Sequence, residues 1–194
     1  MTATLLSLIG ISFILSFCFT DIMRRLAARI GFVDRPGHRK IHDNPKPLGG
    51  GVAIVWAFIL PLAGILFLVN TVTFVTHPGR LSLNDALLSG ARLQTPLALL
   101  FIGGCLVLHI LGLIDDRKAI GPYVKLVIQL AVTAVLVIFG PLRILTALGT
   151  VPSVILTILW ITAITNAFNF LDNMDGLSAG IAAVATTAFL VTAI

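Results

Sequence analysis

The chain has 194 residues, of which 58% are hydrophobic and 11% charged, and its formal net charge is +5. Soluble domains run about 45–50% apolar and about 25% charged, so this composition excludes a solvated globular surface, a disordered chain and a disulfide-stapled secreted domain. The chain belongs in a lipid bilayer, and because its basic residues gather in one segment rather than over a face, no nucleic-acid partner is expected.

A bilayer-spanning helix needs about 20 mostly apolar residues. Six stretches meet this requirement: 2–20, 48–69, 95–114, 122–140, 151–171 and 176–194. The expected fold class is therefore all-α: a polytopic membrane protein with six transmembrane helices in a single membrane domain. The fourth stretch is the most polar at its start, with Lys125 and Gln129 in its first turns, and the sixth is still apolar at Ile194. Cys18 and Cys105 lie inside apolar runs, where a thiol packs more often than it reacts.

The connections differ in charge. Residues 21–47, after the first stretch, hold Arg24, Arg25, Arg29, Arg35, Arg39, Lys40 and Lys46, and residues 115–121, after the third, hold Arg117 and Lys118. The even connections hold only Arg80, Arg92 and Arg143. An excess of Lys and Arg marks the cytoplasmic side. The expected topology thus has the amino terminus outside and the connections 21–47, 115–121 and 172–175 in the cytoplasm. The basic cluster follows the first apolar run, which reads as a reverse anchor rather than a cleavable signal.

All eight acidic residues are aspartates. Seven of them (Asp21, Asp34, Asp43, Asp115, Asp116, Asp172 and Asp175) fall in the three cytoplasmic connections, and Asp85 is the exception. Topology does not require this, because acidic residues contribute little to orientation. Asp115 and Asp116 admit two readings. They are a solvated helix end paired with Arg117 and Lys118, or they hold a hard divalent cation, which takes one or two carboxylates and keeps places for phosphate oxygens and water.

Asn166, Asn169, Asp172 and Asp175 recur at a spacing of three, which turns each about 60° from the last on a helix. They converge only if the helix ends near Asp172, and Gly176 tolerates such a break. Asn166 by itself reads equally as interhelical glue. The basic connection offers His42, Lys46 and the run Gly49-Gly50-Gly51. Contact with anionic headgroups and close helix packing explain part of it, while glycine amides at a helix amino terminus also suit phosphate. Carboxylates, cations and backbone amides on one membrane face fit a Mg²⁺-bridged phosphate substrate whose lipid tail enters from the bilayer.

Gly31-Phe32-Val33-Asp34-Arg35-Pro36, His42 and Pro47-Leu48-Gly49-Gly50-Gly51 resemble the first cytoplasmic loop of the polyprenyl-phosphate N-acetylhexosamine-1-phosphate transferases, glycosyltransferase family 4. Asp115-Asp116 with Lys125-Leu126 resembles the second loop of that family, and Asn166-Ala167-Phe168-Asn169 with Asp172 and Asp175-Gly176-Leu177 the third. The first loop and the Asp-Asn-Met-Asp-Gly string are most similar to the bacterial undecaprenyl-phosphate N-acetylglucosaminyl 1-phosphate transferases. The resemblance covers nearly the whole chain. Family members continue into later cytoplasmic motifs, a Gly-Asp-x-Gly-Ser segment and a His-containing loop, with no counterpart here. We therefore expect the amino-terminal part of a longer enzyme, inactive alone.

The resemblance implies transfer of a sugar 1-phosphate from a UDP-sugar to a polyprenyl phosphate with release of UMP, using Mg²⁺ or alternatively Mn²⁺, at the cytoplasmic face of the cell membrane. It implies Asp115, Asp116, Asp172 and Asp175 as catalytic residues. Asn169 joins Asp115 and Asp116 as a metal ligand, and His42, Lys46 and Lys125 contact phosphate. A homodimer is the expected assembly. Two alternatives stand beside this: a cation-coupled transporter, since aspartates and asparagines in membrane helices also build ion pathways, and a non-catalytic membrane scaffold using Gly176-x-x-x-Gly180 for helix packing.

Overall fold

The computed structural model describes residues 2–34, 46–72, 83–172 and 176–193. Its elements in chain order are α1 (Thr2–Arg29), β1 (Val33–Asp34), β2 (Lys46–Pro47), α2 (Gly50–Val72), α3 (Leu83–Leu93), α4 (Thr95–Arg117), α5 (Pro122–Phe139), a 3-10 turn (Thr146–Leu148), α6 (Thr150–Leu171) and α7 (Leu177–Ala193). Apart from the two-residue antiparallel pair β1–β2, every element is helical. By length and composition, α1, α2, α4, α5 and α6 can each cross a membrane. The 17 residues of α7 form a shorter apolar helix where a sixth span is expected. The protein is an all-α polytopic membrane protein.

Several helices run past their apolar stretches. α1 continues beyond residue 20 to Arg29, because helix-forming Met, Leu, Ala and Arg follow and Asp21 bridges Arg24 at 2.9 Å and Arg25 at 2.8 Å, one turn on. It stops at Gly31, whose φ of +71° suits a left-handed cap. The Phe32 amide then donates to the Ala27 carbonyl at 2.8 Å, as in a Schellman end. α3 was not expected, since residues 83–93 contain no long apolar run and read as connection. Its Arg92 guanidinium donates to the Val69 and Asn70 carbonyls at the end of α2, at 3.3 and 3.4 Å.

The chain forms two compact units, Met1–Gly121 and Pro122–Ile194. In the first, α1 packs on α2 through the buried small residues Ala27, Ala53 and Ala57, which let two backbones approach where lipid supplies no hydrophobic drive. α4 also packs on α2, with Phe58 and Phe101 edge to face at 6.4 Å between centroids.

In the second unit, α5 and α6 form an antiparallel hairpin with a polar interior. Gln129, Thr133, Ser153, Thr157 and Thr162 are buried, while Val127, Ile138, Leu159 and Trp160 are exposed. Polar groups turn inward because hydrocarbon offers them no hydrogen-bond partner. The connection is tied to the same seam: Ser153 Oγ donates to the Ile144 carbonyl at 2.6 Å, and the Ile144 amide donates to Thr157 Oγ1 at 3.0 Å.

Candidate functional site

Asp115 and Asp116 stand at a helix end, and α4 runs into the expected connection 115–121 as far as Arg117. They occupy the last turn of α4, which closes when the Lys118 amide donates to the Ile114 carbonyl at 2.8 Å. Carboxylates are disfavoured by the dipole at a helix carboxyl end, and the local structure compensates. The Ile120 amide donates to Asp115 Oδ1 at 2.9 Å, curling residues 118–120 back over the helix end. Asp116 is exposed and Asp115 half-buried. The two acids therefore differ: one carboxylate closes the chain turn, and its neighbour faces outward.

The next residue ties this helix end to the first connection. The Arg117 guanidinium lies 5.2 Å from the Phe32 ring centroid. The Phe32 carbonyl in turn accepts from the Leu48 amide at 3.0 Å, and Val33–Asp34 pair with Lys46–Pro47. The connection thus leaves and returns as a short hairpin stem beside α4. Gly49 closes the stem. It is buried at a φ of +97°, and a Cβ there would meet Met23 Cε at 3.0 Å and the Phe32 ring at 3.5 Å. Gly50 and Gly51 face open space. Lys46 lies in the stem by its backbone, and His42 lies outside the described residues.

In the second unit, Lys125 sits in the first turn of α5, and Asn169 is exposed near the end of α6. The helix ends at Leu171, with Asp172 as an exposed cap whose amide donates to the Phe168 carbonyl at 3.1 Å. Gly176 has a φ of +76° and leads into α7. The helix thus ends beside Asp172, where a break was expected. Asp175 lies outside the described residues. Asn166 is occupied elsewhere: its Nδ2 donates to Gln129 Oε1 at 2.7 Å and to the Thr162 carbonyl at 2.9 Å. It belongs to the packing of the hairpin, and Gln129 is the partner that sequence alone does not single out.

Among the described residues, no group of three His, Cys, Asp or Glu side chains gathers as a metal cage. The donors at the end of α4 are two adjacent carboxylates, and those at the end of α6 an amide and a carboxylate. Each pair consists of hard oxygen donors in small number, which suits a hard divalent cation that keeps waters and substrate phosphates in its shell. They do not fit a structural zinc site, which takes four thiolate or imidazole ligands.

Residues 98–194 match the family described as Glycosyl transferase family 4, and the chain belongs to that family. Over 95% of its length it is 32% identical to the probable undecaprenyl-phosphate N-acetylglucosaminyl 1-phosphate transferase of Bacillus subtilis, covering 47% of that protein. It is 29% identical over 94% of its length to the decaprenyl-phosphate N-acetylglucosaminephosphotransferase of Mycobacterium tuberculosis, covering 44% of it. It is also 30% identical over 91% of its length to the undecaprenyl-phosphate alpha-N-acetylglucosaminyl 1-phosphate transferase of Escherichia coli K12, covering 43%. The chain thus spans about half the length of the curated relatives it matches. No solved structure matches it.

Proposed function

We propose that the protein carrying this sequence transfers N-acetylglucosamine 1-phosphate from a UDP-sugar to a polyprenyl phosphate such as undecaprenyl phosphate and releases UMP, at the start of cell-envelope glycan assembly. The observation that carries the proposal is that the family match over 98–194 contains Asp115, Asp116, Lys125, Asn169, Asp172 and Asp175. The names of the relatives support the choice of polyprenyl acceptor and of N-acetylglucosamine.

In this reading an oxygen of the lipid phosphate attacks the β-phosphorus of the UDP-sugar. One P–O bond forms, the bridging P–O bond breaks, and UMP leaves with the electron pair. A phosphate monoester has a second pKa of about 6, so the nucleophile is already ionised and Asp115 and Asp116 orient it rather than deprotonate it. Lys125, Lys46 and His42 contact phosphate, and Asp172 and Asp175 arrange the nucleotide. Asp115, Asp116 and Asn169 would hold the Mg²⁺. Bound there, it supplies charge compensation for two anions brought together, and in-line positioning supplies much of the rest. The Lys and Arg distribution supports a cytoplasmic active face in the plasma membrane, with the amino terminus outside. The same reading takes a homodimer as the assembly.

The test is UMP release by the native protein in membranes supplied with UDP-N-acetylglucosamine, undecaprenyl phosphate and Mg²⁺. UMP and a lipid-linked sugar diphosphate are expected, both abolished by EDTA and restored by Mg²⁺. Absence of both products with active acceptor overturns the proposal.

A further inference from the structure

The Gln129 carboxamide is the most conspicuous polar group in the second unit, being 4% exposed in a helix that apart from Lys125 and Thr133 is mainly apolar. Burying an unpaired carboxamide costs several kcal/mol on apolar-solvent scales, about 4–8. Here its Oε1 accepts from Asn166 Nδ2 at 2.7 Å. The second hydrogen of that Nδ2 is committed to the Thr162 carbonyl at 2.9 Å. The Asn166 amide therefore cannot rotate without breaking two hydrogen bonds, and Gln129 holds a fixed partner.

The position of this pair in the hairpin gives it a consequence. α5 and α6 are antiparallel, so residues before Gln129 and residues after Asn166 lie toward the same end. Lys125 precedes Gln129 by four residues, about 6 Å along the axis, and Asn169 follows Asn166 by three, about 4.5 Å. Positions separated by three or four residues share a helix face. Lys125 and Asn169 are thus the next residues outward on the two faces that the Gln129–Asn166 bond joins. Apolar contact alone sets helix register weakly in lipid, where tails compete on equal terms for the same surfaces. A one-turn slip would separate the two positions by about 5.4 Å.

We propose that Gln129 is a positioning residue: by clamping Asn166 it sets the register of α5 against α6, so that the Lys125 ammonium and the Asn169 carboxamide act on the same phosphate–metal unit. The proposal rests on the function given above. Gln129 itself touches neither substrate nor metal.

The experiment compares Gln129→Leu, which removes the acceptor, with Gln129→Glu, which keeps an acceptor oxygen in either protonation state. Both are made in the native protein in membranes, with thermal stability measured in parallel. Gln129→Leu should lower kcat about 10–100-fold, the range typical of partners that orient a metal-binding shell, with a smaller change in KM for the UDP-sugar. Mn²⁺ affinity read by electron paramagnetic resonance, without turnover, should fall about tenfold. Gln129→Glu should restore both. Unchanged kcat and Mn²⁺ affinity in Gln129→Leu overturn the proposal. Equal losses in the Leu and Glu variants, in proportion to lost stability, overturn it too. If Gln129→Leu does not accumulate, Gln129→Met, of similar length without a polar acceptor, is measured under the same criteria. Failure of the unmodified protein to release UMP sinks the function instead, and the Mn²⁺ comparison between the Leu and Glu variants still decides the clamp.

Discussion

The guanidinium of Arg117 stacks over the ring of Phe32 at 5.2 Å, joining the residue that follows the paired aspartates to the residue that opens the first connection. An exposed cation–π contact is worth about 0.5–1 kcal/mol. A double-mutant cycle with Arg117→Ala and Phe32→Leu should return a coupling energy of that size in thermal or denaturant unfolding. Arg117→Lys should recover only part of it, since an ammonium lacks the planar face. Strictly additive losses would show that the two residues act independently.

The three consecutive glycines should not be equivalent. Gly49→Ala places a Cβ 3.0 Å from Met23 Cε at a φ of +97°, a backbone region costing about 1–3 kcal/mol for an L side chain. Gly51→Ala meets open space within α2 and should be neutral or stabilising by about 0.5–1 kcal/mol. Melting temperatures of the two variants check the contrast, and equal shifts would refute it.

The paired aspartates should separate under conservative substitution. Asp115→Asn retains the oxygen that accepts from the Ile120 amide, so it should fold with near-native stability. Asp115→Ala loses that bond, at about 1 kcal/mol. Asp116→Asn, at an exposed position, should also leave stability unchanged. Both Asn variants should lower UMP release about 10²–10³-fold, the scale for removing one preorganised charge-stabilising group. Native turnover in either Asn variant removes that carboxylate from the mechanism.

Two buried threonines of the α5–α6 seam should respond differently to valine. Thr157 Oγ1 accepts from the Ile144 amide, and Thr157→Val strands that donor at a cost of about 1–3 kcal/mol. Thr162 Oγ1 is buried with no hydrogen-bond partner among the described residues, so Thr162→Val should be tolerated or mildly stabilising. Unfolding in detergent decides, and a reversed order would contradict the arrangement of the seam.

Which parts of this protein were legible from residues alone follows from what each signal measures. Hydropathy measures residence in lipid, so α2, α4, α5 and α6 were readable to within a few residues. It does not measure helicity, so the extension of α1 through Arg24 and Arg25 to Arg29 was not, and the reach of α4 to Arg117 was legible only as one of two readings of Asp115 and Asp116. α3 was missed because residues 83–93 are too short and polar to register as a span. A helix end near Asp172 was expected from convergence of four polar residues at a spacing of three. The helix does end at Leu171, but Asn166 belongs to the hairpin packing, so convergence does not hold for all four. Gln129 read only as a blemish in an apolar stretch, since the value of a buried carboxamide depends on a partner 37 residues away.

The inward polarity of α5 and α6 also bears on how the protein reaches its membrane. Entering lipid alone, α5 would present Gln129 and Thr133 to hydrocarbon, and α6 would present Ser153, Thr157, Thr162 and Asn166. Each such group carries a desolvation cost in lipid, which the hairpin relieves where Gln129 and Asn166 bond across the two helices and where Ser153 and Thr157 bond to Ile144 in the connection. The pair, with Leu159, Trp160 and Phe139 on its outside, is an apolar body. Biogenesis therefore favours release of the two helices from the insertion machinery together, after the second has been synthesised, rather than one at a time.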